Sequence, residues 1–222
     1  MMQVKVCGMR QSDNIEAMLA LPIDMIGFIF YPESKRFVGE QDELAQWVRE
    51  NEETFNLVKK VGVFVNAGTS DVLNAIHDYE LDFVQLHGSE APGYCRELEL
   101  LWTASSIRTA KLVKAFSIDE KFDFAVTTPF EDHCSFFVFD TKGVGFGGTG
   151  KQFDWSLLEK YEGSTPFLLS GGIGGDSAEA ILELDHPMLF GVDINSKFEI
   201  EPGLKDVEMT GRFVQKLKQH QQ

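Results

Sequence analysis

Cys7 and Asp140 each close a short apolar run, the place where a proton-carrying side chain would meet a bound molecule at the end of a buried strand. Cys7 follows Val4-Lys5-Val6 and precedes Gly8; Asp140 follows Phe136-Phe137-Val138-Phe139. A thiol or a carboxyl can move protons near neutrality once its surroundings adjust it. Each also has a plainer role, Cys7 as a small core residue and Asp140 as a cap for the next turn. Two glycine-bearing segments point to an anion. Ser170-Gly171-Gly172-Ile173 and Asp193-Ile194-Asn195-Ser196 both end apolar runs, and bare N–H groups in such loops hold phosphate oxygens. Otherwise the glycines only make a tight turn. The stretch from Gly143 to Lys151, containing Gly147-Gly148-Thr149-Gly150, lacks P-loop spacing. It reads as a loop that folds down beside the phosphate, or as a plain connector. Arg36 is a fork for a carboxylate or a surface arginine. His87, after Val84-Gln85-Leu86, binds ligand or packs under it.

These residues converge only if the elements before them share one end. Eight short runs read as strands: residues 4–7, 25–30, 60–65, 83–86, 111–116, 136–140, 167–170 and 189–193. They are apolar on both faces, as buried parallel strands are. Amphipathic stretches at 13–21, 41–52, 69–79, 90–101, 176–184 and 206–219 alternate with them. Several begin on a capping residue: Ser12 or Asp13, Ser70 or Asp71, Ser89 with Glu90, Asp176 with Ser177. Residues 118–135 hold only a short or irregular fifth helix. This alternation predicts an α/β chain folded as one (β/α)₈ TIM barrel domain over residues 1–222. In such a barrel the strand C-terminal ends carry the site, and phosphate sits on the loops after strands seven and eight. The first and sixth strands are far apart around the ring, so Cys7 and Asp140 would flank a ligand from two sides.

Composition removes other classes. A chain of 222 residues with 43% hydrophobic and 25% charged residues supports one well-buried core. Its net charge of −15, with no run of Lys or Arg, argues against a nucleic-acid partner. An anionic ligand must then be captured by local donors against an unfavourable mean field. The three cysteines, Cys7, Cys95 and Cys134, fit no disulfide framework or zinc spacing. No apolar run approaches the ~18 residues of a membrane span, and residues 1–10 do not resemble a signal peptide. A cytoplasmic protein without a membrane role is expected.

Taken in order, these motifs resemble the phosphoribosylanthranilate isomerase family of tryptophan biosynthesis. The resemblance rests on Val4-Lys5-Val6-Cys7-Gly8, Ile26-Gly27-Phe28-Ile29-Phe30-Tyr31-Pro32 with Ser34 and Arg36, Val61-Gly62-Val63-Phe64-Val65-Asn66, and Val84-Gln85-Leu86-His87-Gly88. It continues through Asp140, Gly147-Gly148-Thr149-Gly150 with Phe153-Asp154-Trp155, Ser170-Gly171-Gly172, Gly191-Val192-Asp193, and Pro202-Gly203 with Lys205-Asp206. It implies an Amadori rearrangement of N-(5-phosphoribosyl)anthranilate with no metal or cofactor. Asp140 would be the general acid and Cys7 the general base. Arg36 would hold the anthranilate carboxylate. The phosphate would rest on N–H groups near Gly148, Gly171, Gly172, Asn195 and Ser196, with His87 and Asp193 also touching or orienting the ligand. The partner is a phosphorylated small molecule, with weak contact to other enzymes of that pathway as a further expectation. For this chemistry the thiol needs a lowered pKa and the carboxyl a raised one, and the phenylalanines beside Asp140 are expected to raise it. Lys197 departs from the family, standing where a small residue is usual, and residues 101–109 form a longer stretch than expected. The alternatives are another phosphosugar barrel enzyme or a non-catalytic phosphosugar-binding protein. Indole-glycerol-phosphate synthase would need lysines at strand mouths, whereas Lys111 opens its strand and Lys142 follows Asp140.

Overall fold

The computed structural model describes residues 2–104, 110–141 and 155–219. In chain order the first half is β1 (Gln3–Cys7), α1 (Ser12–Leu19), β2 (Met25–Ile29), α2 (Asp42–Glu50), α3 (Glu52–Phe55), β3 (Lys59–Phe64), α4 (Thr69–Tyr79), β4 (Phe83–Leu86) and α5 (Pro92–Ala104). The second half is β5 (Lys111–Ile118), a 3₁₀ helix (Phe124–Phe130), β6 (Cys134–Thr141), a 3₁₀ helix (Trp155–Lys160), β7 (Phe167–Ser170), α6 (Ala178–Leu182), β8 (Leu189–Ile194), a 3₁₀ turn (Ser196–Phe198), β9 (Glu199–Glu201), β10 (Leu204–Lys205) and α7 (Val207–Gln219). Strands β1 to β8 pair in sequence order, each parallel to its neighbours, and β8 closes onto β1. The expected (β/α)₈ barrel is therefore the observed fold.

The period of two along each strand decides which residues reach the site. Met25, Val61, Val113, Ala115, Phe136, Val138 and Leu168 pack together inside the barrel. Their alternates, such as Val4, Val6, Phe28, Phe64, Leu86, Phe137, Phe139 and Leu169, face the helices and form the outer core. Phe137 and Phe139 therefore point away from the interior that Asp140 faces. The expectation that they surround the Asp140 carboxyl fails for this reason.

Helix boundaries depart from the pattern reading in several places. The stretch at 41–52 breaks at Asn51, whose backbone leaves helical geometry, and gives α2 and α3. The stretch at 176–184 is helical only over Ala178–Leu182. Neither Ser12 nor Ser70 caps: the N-cap residues are Gln11 and Gly68. Glu90 instead accepts hydrogen bonds from the Asn66 and Gly88 N–H groups, while α5 starts at Pro92. Between β5 and β6 the irregular fifth helix is the 3₁₀ helix that contains Pro129. Where the outer layer is thin, aromatic rings fill it. Phe116, Phe124, Phe137, Phe139, Tyr161 and Phe167 interlock with centroids 4.6 to 6.5 Å apart.

A short antiparallel strap, β9 with β10, crosses beside the barrel mouth. Asn14 of α1 anchors it, donating to the Lys205 carbonyl at 3.0 Å and accepting from its N–H at 2.8 Å. Among the described residues no helix is long and apolar enough to cross a membrane.

Candidate active site

A cavity of about 350 Å³ opens at the C-terminal ends of the strands. Its lining includes Cys7, Gln85, His87, Asp140, Gly171, Gly172, Asp193, Asn195, Ser196 and Lys197. Seven of the expected site residues outside the glycine-rich loop thus share one space with Cys7. Gly148 and the rest of the loop at 143–151 lie outside the described residues. A larger cavity of about 680 Å³ lies between the loop after β2 and α4. Glu33, Glu40, Asp42, Asp71 and Asp78 line it, so its field repels a phosphate.

Cys7 sits in an apolar ring with Ile29 and Val63. Gly27 lies beside it in register on β2, and a Cβ there would meet the Cys7 Sγ at 2.9 Å. The missing side chain makes room for the sulfur. Burial pushes the thiol up, opposed in part by the Lys5 and Lys205 ammonium groups. The expected lowering is therefore not found, because the surrounding ring is apolar.

Asp140 faces the cavity from β6, about a third exposed, with His87 Nε2 at 3.5 Å from its Oδ2. His87 Nδ1 lies 2.9 Å from Gln85 Nε2. Gln85 and His87 alternate to the same face of β4, so the chain Gln85–His87–Asp140 runs along the cavity wall. Gln85 Oε1 and Asp193 Oδ1 are buried and make no hydrogen bond among the described residues. Two buried acceptors aimed at one cavity suit hydroxyl donors of a ligand.

At the other side, Gly171 and Gly172 hold φ of +88° and +67°, and nothing stands within 4 Å of the Gly172 Cβ direction. The backbone can thus be approached closely there. Lys197 Nζ donates to the Gly172 carbonyl at 2.6 Å, bringing a cation to the loops after β7 and β8. Lys197 supplies a placed charge against the acidic mean field.

Arg36 differs most from expectation. Its Nε donates to Glu199 Oε1 at 2.7 Å and its Nη2 to Oε2 at 2.5 Å, so a carboxylate of the same chain occupies one edge of the fork. Lys205 Nζ donates to Glu199 Oε1 at 2.6 Å and to Asn195 Oδ1 at 2.7 Å. Burial works against the Glu199 charge, but Arg36 and Lys205 overcome it and hold the carboxyl at about 2. Beneath Cys7, Lys5 Nζ donates to Asp193 Oδ2 at 2.8 Å. Lys5, Gln85, Glu199 and Lys205 were not among the expected site residues. For Lys5 and Gln85 the signal was available: a polar residue two before a strand-end site residue, in an otherwise apolar strand, shares its inward face.

With this geometry in view, the comparisons with known proteins are consistent with one another. The N-(5′-phosphoribosyl)anthranilate (PRA) isomerase family model matches residues 4–216. This chain belongs to the PRA isomerase family. The chain is 48% identical to N-(5′-phosphoribosyl)anthranilate isomerase of Parabacteroides distasonis over 216 residues, covering 97% of this chain and 93% of that one. A crystal structure of phosphoribosyl anthranilate isomerase from Thermotoga maritima superposes with a TM-score of 0.82 at 30% identity, covering 99% of this chain and 100% of that one. A phosphoribosyl anthranilate isomerase in complex with reduced 1-(o-carboxyphenylamino)-1-deoxyribulose 5-phosphate gives a TM-score of 0.80 at 28% identity, covering 99% and 100%. PRA isomerase relatives thus match the chain over nearly its whole length, barrel and mouth together.

Proposed function

We infer that this chain isomerises N-(5-phosphoribosyl)anthranilate to 1-(2-carboxyphenylamino)-1-deoxyribulose 5-phosphate, an Amadori rearrangement in tryptophan biosynthesis. The observation that carries the reading is a thiol on β1 and a carboxyl on β6 facing one small cavity whose far side is the paired loops after β7 and β8. Asp140 donates a proton to the furanose ring oxygen, and the C1′–O bond breaks to leave a Schiff base. The Cys7 thiolate then removes the C2′ proton. The C–H electron pair becomes the C1′–C2′ double bond of an enolamine, and the iminium nitrogen takes up the displaced pair. Tautomerisation to the C2′ ketone completes the reaction. Burial makes the thiolate scarce but a stronger base when it forms.

The phosphate is held by N–H groups of Gly171, Gly172, Asn195 and Ser196 with the Lys197 ammonium beside them. Asp193 Oδ1 and Gln85 Oε1 accept from sugar hydroxyls, and His87 steadies Asp140. Glu199 takes the Nε–Nη2 edge of Arg36, so the anthranilate carboxylate meets the Nη1 side. The three free thiols fit a cytoplasmic setting.

The test is to titrate Cys7→Ser and Asp140→Asn with the reduced product analogue and measure kcat for each. Each variant is expected to bind within a few-fold of the parent and to lose at least ~10²-fold in kcat, the usual contribution of a placed acid or base. Near-parental kcat in either variant removes that residue from the mechanism.

A further inference from the structure

Lys5 is a buried charge beside the site that the mechanism above leaves unused. Its side chain is fully buried inside the barrel, two residues before Cys7 on the same face of β1. Lys5 and Asp193 are register partners across the β1–β8 seam, which is why the ammonium meets that carboxylate at 2.8 Å. A buried ion pair contributes little net stability, because desolvation of both ions offsets their attraction. Apolar residues fill the neighbouring interior positions Met25, Val61 and Val113, so an apolar pair would pack there as well. A lysine directly beneath a proton-abstracting thiol needs another reason.

The groups that face Cys7 limit what that reason can be. On β1 there is Lys5; from β8 comes Asp193; from the strap comes Lys205; from the loop after β2 comes Arg36. Across the cavity stand His87 on β4's end and Asp140 on β6. From β2 and β3 the sulfur faces Gly27, Ile29 and Val63 among the described residues. Lys205 and Arg36 are both tied to Glu199. Lys5 lies on the same inward face of β1 as Cys7, one side-chain position below it, and its charge opposes the effect of burial on that thiol.

We propose that Lys5 is a positioning residue of the isomerisation: held by Asp193, its ammonium stands beside the Cys7 sulfur and stabilises the thiolate in which that cysteine takes the C2′ proton. Lys5 keeps its charge throughout, and the proton passes from carbon to sulfur. Burial opposes a charge on Lys5, yet Asp193 and Cys7 together hold its pKa above the ordinary value. The carboxylate therefore keeps the lysine charged, and the lysine in turn favours the thiolate. This rests on the reading of Cys7 as the base.

The experiment titrates the thiolate absorbance near 240 nm from pH 6 to 11 in the parent, Lys5→Met and a Cys7→Ser blank, with kcat measured across the same range. Lys5→Met is expected to move the Cys7 titration to higher pH, with at least tenfold less thiolate at pH 7. Its kcat should fall at least tenfold at pH 7 and recover as pH rises. An unmoved titration with kcat lowered equally at every pH would overturn the proposal and leave Lys5 a structural ion. If Lys5→Met does not fold, Lys5→Gln/Asp193→Asn leaves no buried charge unpaired, and its thiolate titration is read in the same way. An active Cys7→Ser would sink the base assignment, whereas the titration still reports whether Lys5 acts on the sulfur.

Discussion

Replacing Glu199 with glutamine removes the one negative charge that holds Arg36 and the strap lysine Lys205 at the barrel mouth. The Glu199 side chain is 4% exposed and accepts from Arg36 Nε and Nη2, Lys205 Nζ and the Gly203 N–H. Those donors hold its carboxyl at about 2 against an ordinary 4.5. At roughly 1.4 kcal/mol per pH unit the difference is worth about 3 kcal/mol to the folded state while the group is ionised. Because the folded value is the lower one, this stability is fully present above pH 4.5 and is lost as pH falls toward 2. Glu199→Gln should therefore lose about 3 kcal/mol at pH 7, or on the order of 6–12 °C in Tm for a domain of this size. The assay is urea unfolding of both proteins at several pH values from 7 to 2. The gap between the two midpoints should narrow through the window from 4.5 to 2 and nearly close at its foot. A gap below about 0.5 kcal/mol at pH 7, or one of constant size down to pH 2.5, would refute the reasoning.

Other consequences follow from the same geometry. Gly27→Ala brings a Cβ to 2.9 Å from the Cys7 sulfur and 3.0 Å from its Cα; it should cost about 1–3 kcal/mol and lower kcat more than it changes KM, checked by unfolding and steady-state kinetics. Lys197→Ala removes the ammonium beside Gly172; KM should rise and its salt dependence should weaken while kcat changes little, checked by kinetics at two ionic strengths.

The barrel was legible because its strands are buried on both faces and each ends at a mouth residue. Cys7, His87, Asp140, Gly171, Gly172, Asp193, Asn195 and Ser196 could be placed together on that ground alone, and they line one cavity. What escaped depends on direction or on long-range pairing. Phe137 and Phe139 neighbour Asp140 in sequence but face the helices, so adjacency misjudged its surroundings. The partner of Arg36 lies 163 residues away on a three-residue strand, beyond the reach of any local pattern. The 3₁₀ helix between β5 and β6 turns Phe124 and Phe130 into the aromatic layer, and this packing overrides helical periodicity.

The most direct measurement generates phosphoribosylanthranilate in situ and follows the loss of its anthranilate-type fluorescence with the parent protein and with Asp140→Asn. The account predicts rapid loss with the parent and at least ~10²-fold slower loss with the variant. A folded parent that leaves the fluorescence unchanged, or a variant as fast as the parent, would contradict it.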